Sequence, residues 1–276
     1  MTMNRKQFLR DTGWASAGAI VGTLGTRLID YSSAAEHGPR VVPWSQIPST
    51  GAARSGGANA QEMQGDESFS QAGEDMIVRF FLRYREIAEM TYLDVGANDP
   101  IELNNTYYFY LRGFRGVLVE PNVSLCTRLR SVRPEDTTLA AGIGVGDATE
   151  ADYYVMNFHG LNTFSKDEAE HQVKASQGRI AIQKVIKMPL RDINDVMQRH
   201  FKGAPTFLSV DTEGMDLAIL KSIDFKRYRP KIVCAETLVS STTTTRPEIP
   251  EFMIAQGYLA RGGSFVNTIF VDSTIL

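Results

Sequence analysis

Short apolar runs alternate with segments of helical periodicity from Ser68 to the end of this chain. Four of the runs contain almost only apolar residues between flanking turns: TYLDVG (91–96), GVLVEP (116–121), PTFLSVD (205–211) and PKIVCAET (230–237). Strands of this composition are buried on both faces, so they are typical of a parallel sheet that helices cover on both sides. The alternation therefore predicts an α/β fold.

The remaining predicted elements extend this pattern. Further strands are predicted at 137–145, 151–157 and 179–190, with a closing antiparallel pair at 257–262 and 265–272. Helical spacing of apolar residues predicts six helices, at 70–85, 102–113, 124–132, 191–201, 215–223 and 247–258. These elements indicate a Rossmann-like α/β sandwich with the antiparallel pair at the sheet edge. Such sheets bind ligands outside the carboxyl ends of their strands.

Residues 1–35 have the features of an export signal. The basic segment NRKQFLRDTG (4–13) precedes a mildly apolar stretch (14–26), and small residues around Ala35 suit cleavage by a signal peptidase. The segment resembles a twin-arginine (Tat) signal in which Arg5-Lys6 replaces the arginine pair. It predicts export or membrane association, in the periplasm; the alternative is a simple N-terminal arm. No transmembrane span is expected, because the stretch is too short for a bilayer core of about 30 Å.

The next segment separates this arm from the folded part. Residues 36–67 are rich in Gly, Ala, Pro and Ser and lack hydrophobic periodicity, which predicts a flexible linker. The folded domain is therefore expected to occupy residues 68–276.

Charge and cysteine usage exclude several classes of protein. The formal net charge of −3 gives no indication of a nucleic-acid partner. The two cysteines, Cys126 and Cys234, lie in predicted regular elements without metal-ligand spacing, so neither a disulfide framework nor a cysteine metal site is expected. The sequence gives no indication of oligomeric state.

The turn after the first predicted strand favours one kind of cofactor. A dinucleotide needs the pattern G-x-G-x-x-G so that the backbone can approach a pyrophosphate, whereas residues 96–101 are G-A-N-D-P-I. Asp94 and Asp99 would also repel phosphates. S-adenosylmethionine (SAM) has no phosphate and carries a sulfonium and an ammonium, so this acidic turn suits it. Gly96 would permit close approach of its amino-acid portion.

Two further acids are candidates for contacts with the nucleoside. Glu120 ends the second strand, 24 residues after Gly96, where it can accept hydrogen bonds from both ribose hydroxyls. This acid would serve NAD as readily as SAM, so it does not decide between them. The segment GIGVGD (142–147) has Asp147 at the sixth position, where the dinucleotide motif G-x-G-x-x-G has glycine, and no helix is predicted to follow it. We interpret it as a strand end with Asp147 near the adenine edge, or as a surface turn.

Five ordered segments carry a resemblance to a known family: SQAGED, YLDVGANDP, NNT, GVLVEP and FLSVDTEGMDLAIL. Together they cover about residues 68–240 and resemble the FkbM-type SAM-dependent methyltransferases. The resemblance implies a class I methyltransferase sandwich, with a mostly parallel seven-stranded sheet and an antiparallel edge strand. It also implies O-methylation of a saccharide or natural product.

Pro100 departs from the family pattern, which usually has glycine there. We expect it at the first position of the 102–113 helix, where proline is tolerated. Taken together, the turn and the resemblance assign cofactor binding to nine residues: Asp94, Gly96, Ala97, Asn98, Asp99, Glu120, Pro121, Asp147 and Asp211.

Catalytic candidates follow the later strands. Asp211 ends one strand and is expected near the methionine portion of the cofactor, and Glu213 nearer the acceptor as a general base. The alternative for Glu213 is an acid that complements the dipole of the following helix. His159, on an insertion, is a candidate base or acceptor-binding group, or an exposed loop residue. Asp211, Glu213 and Glu236 could hold Mg²⁺, but they lack ligand spacing, so no metal is expected.

Two polar residues of the predicted 102–113 helix have two possible roles. Asn105 and Thr106 could orient the turn after the first strand, or simply belong to the helix.

The sequence thus predicts a SAM-dependent O-methyltransferase with a small-molecule or saccharide acceptor. The cofactor favours the cytoplasm, where it is made, and this conflicts with export. One alternative is an exported, catalytically silent fold that binds a glycan or an envelope partner. Loss of SAM binding because of Pro100 would favour this alternative. An NAD(P)-linked oxidoreductase is disfavoured by the missing dinucleotide motif.

Overall fold

Ten strands and seven helices make up the computed structural model, which describes residues 66–238 and 244–276. The strands are β1 (Thr91–Val95), β2 (Arg115–Val119), β3 (Thr137–Leu139), β4 (Gly142–Ile143), β5 (Glu150–Met156), β6 (Ile182–Arg191), β7 (Phe207–Val210), β8 (Ile232–Glu236), β9 (Tyr258–Gly263) and β10 (Asn267–Asp272). The helices are α1 (Glu74–Tyr84), α2 (Tyr107–Leu111), α3 (Val123–Val132), α4 (Lys166–Ala175), α5 (Ile193–His200), α6 (Asp216–Ser222) and α7 (Glu248–Ala255). The predicted export segment and nearly all of the predicted linker lie outside the described residues.

Seven strands form the central sheet, in the order β3-β2-β1-β7-β8-β10-β9. β1 pairs in parallel with β2 and β7, whereas β10 is antiparallel to both β8 and β9 and so runs opposite to the other six strands. The prediction of a mostly parallel seven-stranded α/β sheet is confirmed. The antiparallel strand itself lies one position in from the edge rather than at it, because β9 and β10 form a hairpin in which β9 takes the outer place.

The predicted third strand (137–145) is divided between two sheets. β3 belongs to the central sheet, whereas β4 pairs with β6 in a second sheet of order β4-β6-β5. Gly142 lets the side chains of Phe164 and Leu190 pack against β4, because a Cβ there would overlap both of them. The second sheet extends from the carboxyl end of the central one.

The predicted helix at 102–113 is shorter than expected. α2 begins only at Tyr107, because residues 98–106 form a turn in which Asn98 and Leu103 have φ angles of 49° and 55°. The prediction that Pro100 starts this helix is therefore wrong. Pro100 is buried within the turn, and the residues there that need a left-handed backbone are its neighbours.

Apolar clusters cover both faces of the central sheet. One contains Leu93, Val95 and Leu208 together with side chains of α5, α6 and α7. The other contains Tyr92 and Phe207 with side chains of α1, α2 and α3. Both cysteines are buried and free. Among the described residues, no helix has the length and apolar character needed to cross a membrane.

Candidate active site

A cavity opens at the carboxyl ends of the parallel strands, where the sequence places the ligand site. It contains about 820 Å³ of empty space, including the solvent at its mouth. Its floor and walls come from the ends of β1, β2, β4 and β7, and the insertion around His159 forms its roof. The lining includes seven of the nine predicted cofactor residues: Asp94, Gly96, Ala97, Asn98, Glu120, Pro121 and Asp211.

The turn after β1 holds two neighbouring strand ends together. Gly96 has a φ of 85° and donates its N–H to the carbonyl of Val119 at 2.9 Å. A Cβ at Gly96 would overlap the carbonyl oxygen of Asp211. Glycine is therefore required both for the backbone angle and for the close approach of β1 and β7.

Glu120 is held at the cavity wall by two backbone groups. Its carboxylate accepts the N–H of Asn98 at 2.9 Å and that of Asn122 at 2.7 Å. Burial nevertheless raises the pKa of Glu120 to about 7, since these two hydrogen bonds only partly offset the loss of solvent and the nearby charge of Asp94 raises it further. The group is thus poised to change charge near neutral pH.

Asp94 receives its orientation from the segment before α2. Thr106 donates its hydroxyl to Asp94 Oδ2 at 2.7 Å. Burial raises the pKa of Asp94, while this hydrogen bond and the positive charge of Arg133 oppose the rise. Thr106 therefore orients the turn, one of the two roles expected for it, whereas the Asn105 amide donates instead to Ser209 Oγ at 3.1 Å.

Sequence reasoning missed the side chains that support Asp94. Arg133 is fully buried, and its guanidinium donates to Thr106 Oγ1 and to Asn104 Oδ1, both at 3.0 Å. Asn104 in turn donates its amide to the carbonyls of Ala97 and Asp99 at 3.0 Å. The NNT segment was a signal for Asn104. Arg133 gave none, because an arginine at a helix end is normally exposed.

Three carboxylates meet beyond the ends of β7 and β8, and two of them, Asp211 and Glu213, line the cavity. Asp211, Glu213 and Glu236 each offer an oxygen within 4.8 Å of the others, and the last two are buried. Glu213 has a φ of 53°, which is uncommon for a residue with a side chain and frequent at functional sites. These acids come from the ends of β7 and β8, as expected from the strand pattern.

The acid at the start of α6 is a different residue from Glu213. Asp216 begins this helix and accepts the N–H of Thr212 at 2.8 Å and that of Gly214 at 3.2 Å. Burial and the neighbouring Asp211 raise the pKa of Asp216 to about 6. Asp216 therefore supplies the acid of the first helical turn and holds the turn before it, whereas Glu213 lines the cavity.

His159 also lies in the cavity lining rather than on an exposed loop. It belongs to a short 3₁₀ turn, His159–Leu161, that follows β5. Its Nδ1 is 2.9 Å from Asn98 Oδ1. This contact joins the roof of the cavity to the turn after β1.

Two predicted cofactor residues are not brought to the cavity. Asp99 accepts the N–H groups of Ile101 and Glu102 and pairs with Arg128 at 2.7 Å, so it points away from the lining. Asp147 is exposed, because the chain turns outward after β4 through Gly146, whose φ is 70°. The roles expected for both residues gain no support from these positions.

The fold is a Rossmann-like sandwich with a cavity at the carboxyl ends of its parallel strands. The sequence model of the methyltransferase FkbM domain matches residues 94–260, more than half of the chain. The chain belongs to this family. A search of curated protein sequences finds no match.

Three solved structures that match this chain are distant from it in sequence. A TehB-like SAM-dependent methyltransferase from Corynebacterium glutamicum ATCC 13032 Kitasato matches with a TM-score of 0.37 and 10% identity, covering 74% of this chain and 89% of that one. An O-methyltransferase from Bacillus cereus in complex with SAH matches with a TM-score of 0.36 and 12% identity, covering 72% and 80%. A precorrin-6y C5,15-methyltransferase from Geobacter metallireducens GS-15 matches at 0.33 and 12%, covering 66% and 78%. At these TM-scores none of the three bears on function.

Proposed function

We propose that the protein is a SAM-dependent O-methyltransferase that acts on a hydroxyl of a saccharide or natural-product acceptor. One observation carries the proposal: a single cavity has a carboxylate suited to a ribose, Glu120, at one end and a group of acids at the other. The turn between these ends contains one glycine and no dinucleotide motif. Membership in a methyltransferase family agrees with this arrangement.

The residues present fit this cofactor. Glu120 lies at the end of β2, where a carboxylate can accept hydrogen bonds from two ribose hydroxyls. Asp94, oriented by Thr106, presents negative charge toward the turn, which suits a cationic amino-acid group. SAM supplies an activated methyl group, and the chain's own residues hold and orient the two reactants.

The acids near β7 are suited to accept the proton of the acceptor hydroxyl. Glu213 faces the cavity, and Gln172 Nε2 lies 3.5 Å from its Oε2, which limits the orientations of the carboxylate. A general base contributes typically about 10²–10⁴-fold to such a reaction. We assign this role to Glu213, with Asp211 beside the methyl donor and His159 at the acceptor side as a further candidate.

Pro100 gives no support to the alternative of a catalytically silent fold. The left-handed positions of the turn are Gly96, Asn98 and Leu103, and Pro100 occupies none of them.

The division of roles between Glu213 and Asp94 can be tested with two isosteric variants. Glu213→Gln should lower methyl transfer from labelled SAM by about 10²–10⁴-fold and change the affinity for S-adenosylhomocysteine (SAH) little. Asp94→Asn should instead weaken SAH binding by about tenfold or more, because it removes a charge held beside the cofactor. Equal loss of SAH affinity in both variants would contradict this division.

A further inference from the structure

We propose that Asp211, Glu213 and Glu236 form a binding site for a hard divalent cation, Mg²⁺ or Ca²⁺. The three residues are separated in sequence but meet at the adjoining ends of β7 and β8. From the sequence these three acids were only possible Mg²⁺ ligands and no metal was expected, because the spacing D-x-E followed by a distant Glu matches no metal motif. The fold supplies the missing proximity.

The separation of the carboxylate oxygens suits such a cation. All three ligand atoms lie within 4.8 Å of one another. Three oxygens no more than 4.8 Å apart can all lie within about 2.8 Å of a common point, compared with usual metal–oxygen distances of about 2.0–2.1 Å for Mg²⁺ and about 2.3–2.6 Å for Ca²⁺. The oxygens can therefore contact one ion with little movement, and an all-oxygen set favours hard cations over Zn²⁺ or Cu²⁺.

Asn105 provides an independent indication of a ligand. Asn105 is only 8% exposed and lines the cavity together with Asp211 and Glu213, yet its Oδ1 has no hydrogen-bond partner. A buried carbonyl oxygen without a partner is costly, and most such groups in proteins are satisfied by a partner, a water or an ion. A neutral amide oxygen is also an ordinary ligand for Ca²⁺.

The position of this amide relates it to the carboxylates. Asn105 Nδ2 contacts Ser209 Oγ at 3.1 Å and Cys234 Sγ at 3.9 Å, and these two residues are paired across β7 and β8. Asp211 and Glu236 each follow two residues later. Because alternate residues of a strand share a face, the amide lies on the face of the carboxylates, one residue pair deeper in the cavity.

The charge of the three carboxylates also favours a bound cation. Burial of Glu213 and Glu236 means that solvent screens the repulsion among the three carboxylates only weakly. A divalent cation would offset this repulsion directly. Each carboxylate has two oxygens, so Glu213 can bind the ion through one and keep the other for the acceptor proton. That last role rests on the proposed function, whereas cation binding does not.

Calorimetric titration of the full, chelator-treated chain with MgCl₂ and with CaCl₂, in the absence of SAM, tests the site. We expect one equivalent of at least one of the two ions to bind. Glu236→Gln should weaken that binding by about tenfold or more, since it removes one charged ligand. Glu120→Gln is the matched control, because it alters a buried carboxylate of the same cavity outside the cluster, and it should leave cation affinity unchanged.

A gain of affinity guards against a variant that merely fails to fold. Asn105→Asp adds a fourth carboxylate oxygen donor and should bind the cation more tightly than the unmodified chain, which a misfolded protein would not do. Absence of binding by the unmodified chain, or equal binding by Glu236→Gln, would overturn the proposal. A parallel titration with SAH in the presence of chelator reports on the cofactor separately, so failure of one proposal is distinguishable from failure of the other.

Discussion

Glu120 shows how burial gives one residue a property that matters near neutral pH. Its carboxylate accepts two backbone N–H groups, yet burial keeps the pKa at about 7. Below this pH the group is neutral and loses part of its capacity to accept hydrogen bonds from a ribose. We therefore expect the ionised form to be the one that binds the cofactor.

The stability of the protein should report this shifted pKa. An unfolded glutamate titrates near pH 4.5 and the folded Glu120 near pH 7, so between these values only the unfolded state loses its proton. Stability from this group is thus complete below about pH 4.5 and is lost as the pH rises through about 7. Glutamine does not titrate, so Glu120→Gln should avoid this loss. The free energy of unfolding of the variant minus that of the unmodified chain should therefore be larger at pH 8 than at pH 4.5, by roughly 1–3 kcal/mol.

Denaturant unfolding of both proteins at these two pH values checks the prediction. The substitution can also remove a hydrogen bond that the amide cannot make. This cost is present at both pH values, so it cancels when the two are compared. A difference between the proteins that does not change with pH would mean that Glu120 titrates normally.

Single residues also mark how far the sequence could predict the site. Glu120, Asp211 and Glu213 were identifiable because each ends or follows an apolar strand, and strand ends meet at one edge of a parallel sheet. Arg133 was not identifiable, because its burial depends on Asn104 and Thr106, which only the folded chain brings to it.

At the scale of elements, the turn after β1 determines the shape of the cavity. Gly96 lies where β1 approaches β7, and both its backbone angle and the space beside it exclude a side chain. Gly113, by contrast, has a similar φ of 88° but nothing within 4 Å of the position of a Cβ. Gly113 thus requires only a left-handed backbone, whereas Gly96 requires both a left-handed backbone and a close approach of β1 to β7.

Alanine at these two positions should have different effects. Gly113→Ala carries only the cost of a left-handed backbone, roughly 1–2 kcal/mol of the free energy of unfolding. Gly96→Ala adds an overlap with the Asp211 carbonyl, so it should cost at least about 2 kcal/mol more and should also weaken SAH binding. Thermal unfolding and SAH titration of both variants measure these effects. Similar stability losses in the two variants would show that the approach of β1 to β7 is not tight.

The two elements predicted poorly have limits that depend on a side-chain cap or on a distant strand pairing. Apolar periodicity extended the helix at 102–113 too far, since Asn104 caps α2 by accepting the N–H groups of Thr106 and Tyr107. The strand at 137–145 was divided because Gly142 and Ile143 of β4 pair with Leu190 and Arg191 of β6, which are distant in sequence. This pairing has no local signal in the sequence, whereas the cap by Asn104 lies within the NNT segment.

At the scale of the whole molecule, the order of strands places the two functional ends of the cavity on opposite sides of β1. β2 carries Glu120 on one side, and β7 and β8 carry the acids on the other. The roof comes from the insertion that contains His159. Export through residues 1–35 stays a prediction, as does the assignment of the folded domain to 68–276.

Binding of SAH to the full chain, measured by calorimetry with NAD⁺ as the control, tests the central claim most directly. We expect SAH to bind with a dissociation constant of about 1–100 μM and NAD⁺ to show no binding. This result would also establish that Pro100 is compatible with the cofactor. Binding of NAD⁺ instead would contradict our interpretation of the turn after β1. Binding of neither ligand would favour a catalytically silent fold that has lost the ability to bind a cofactor.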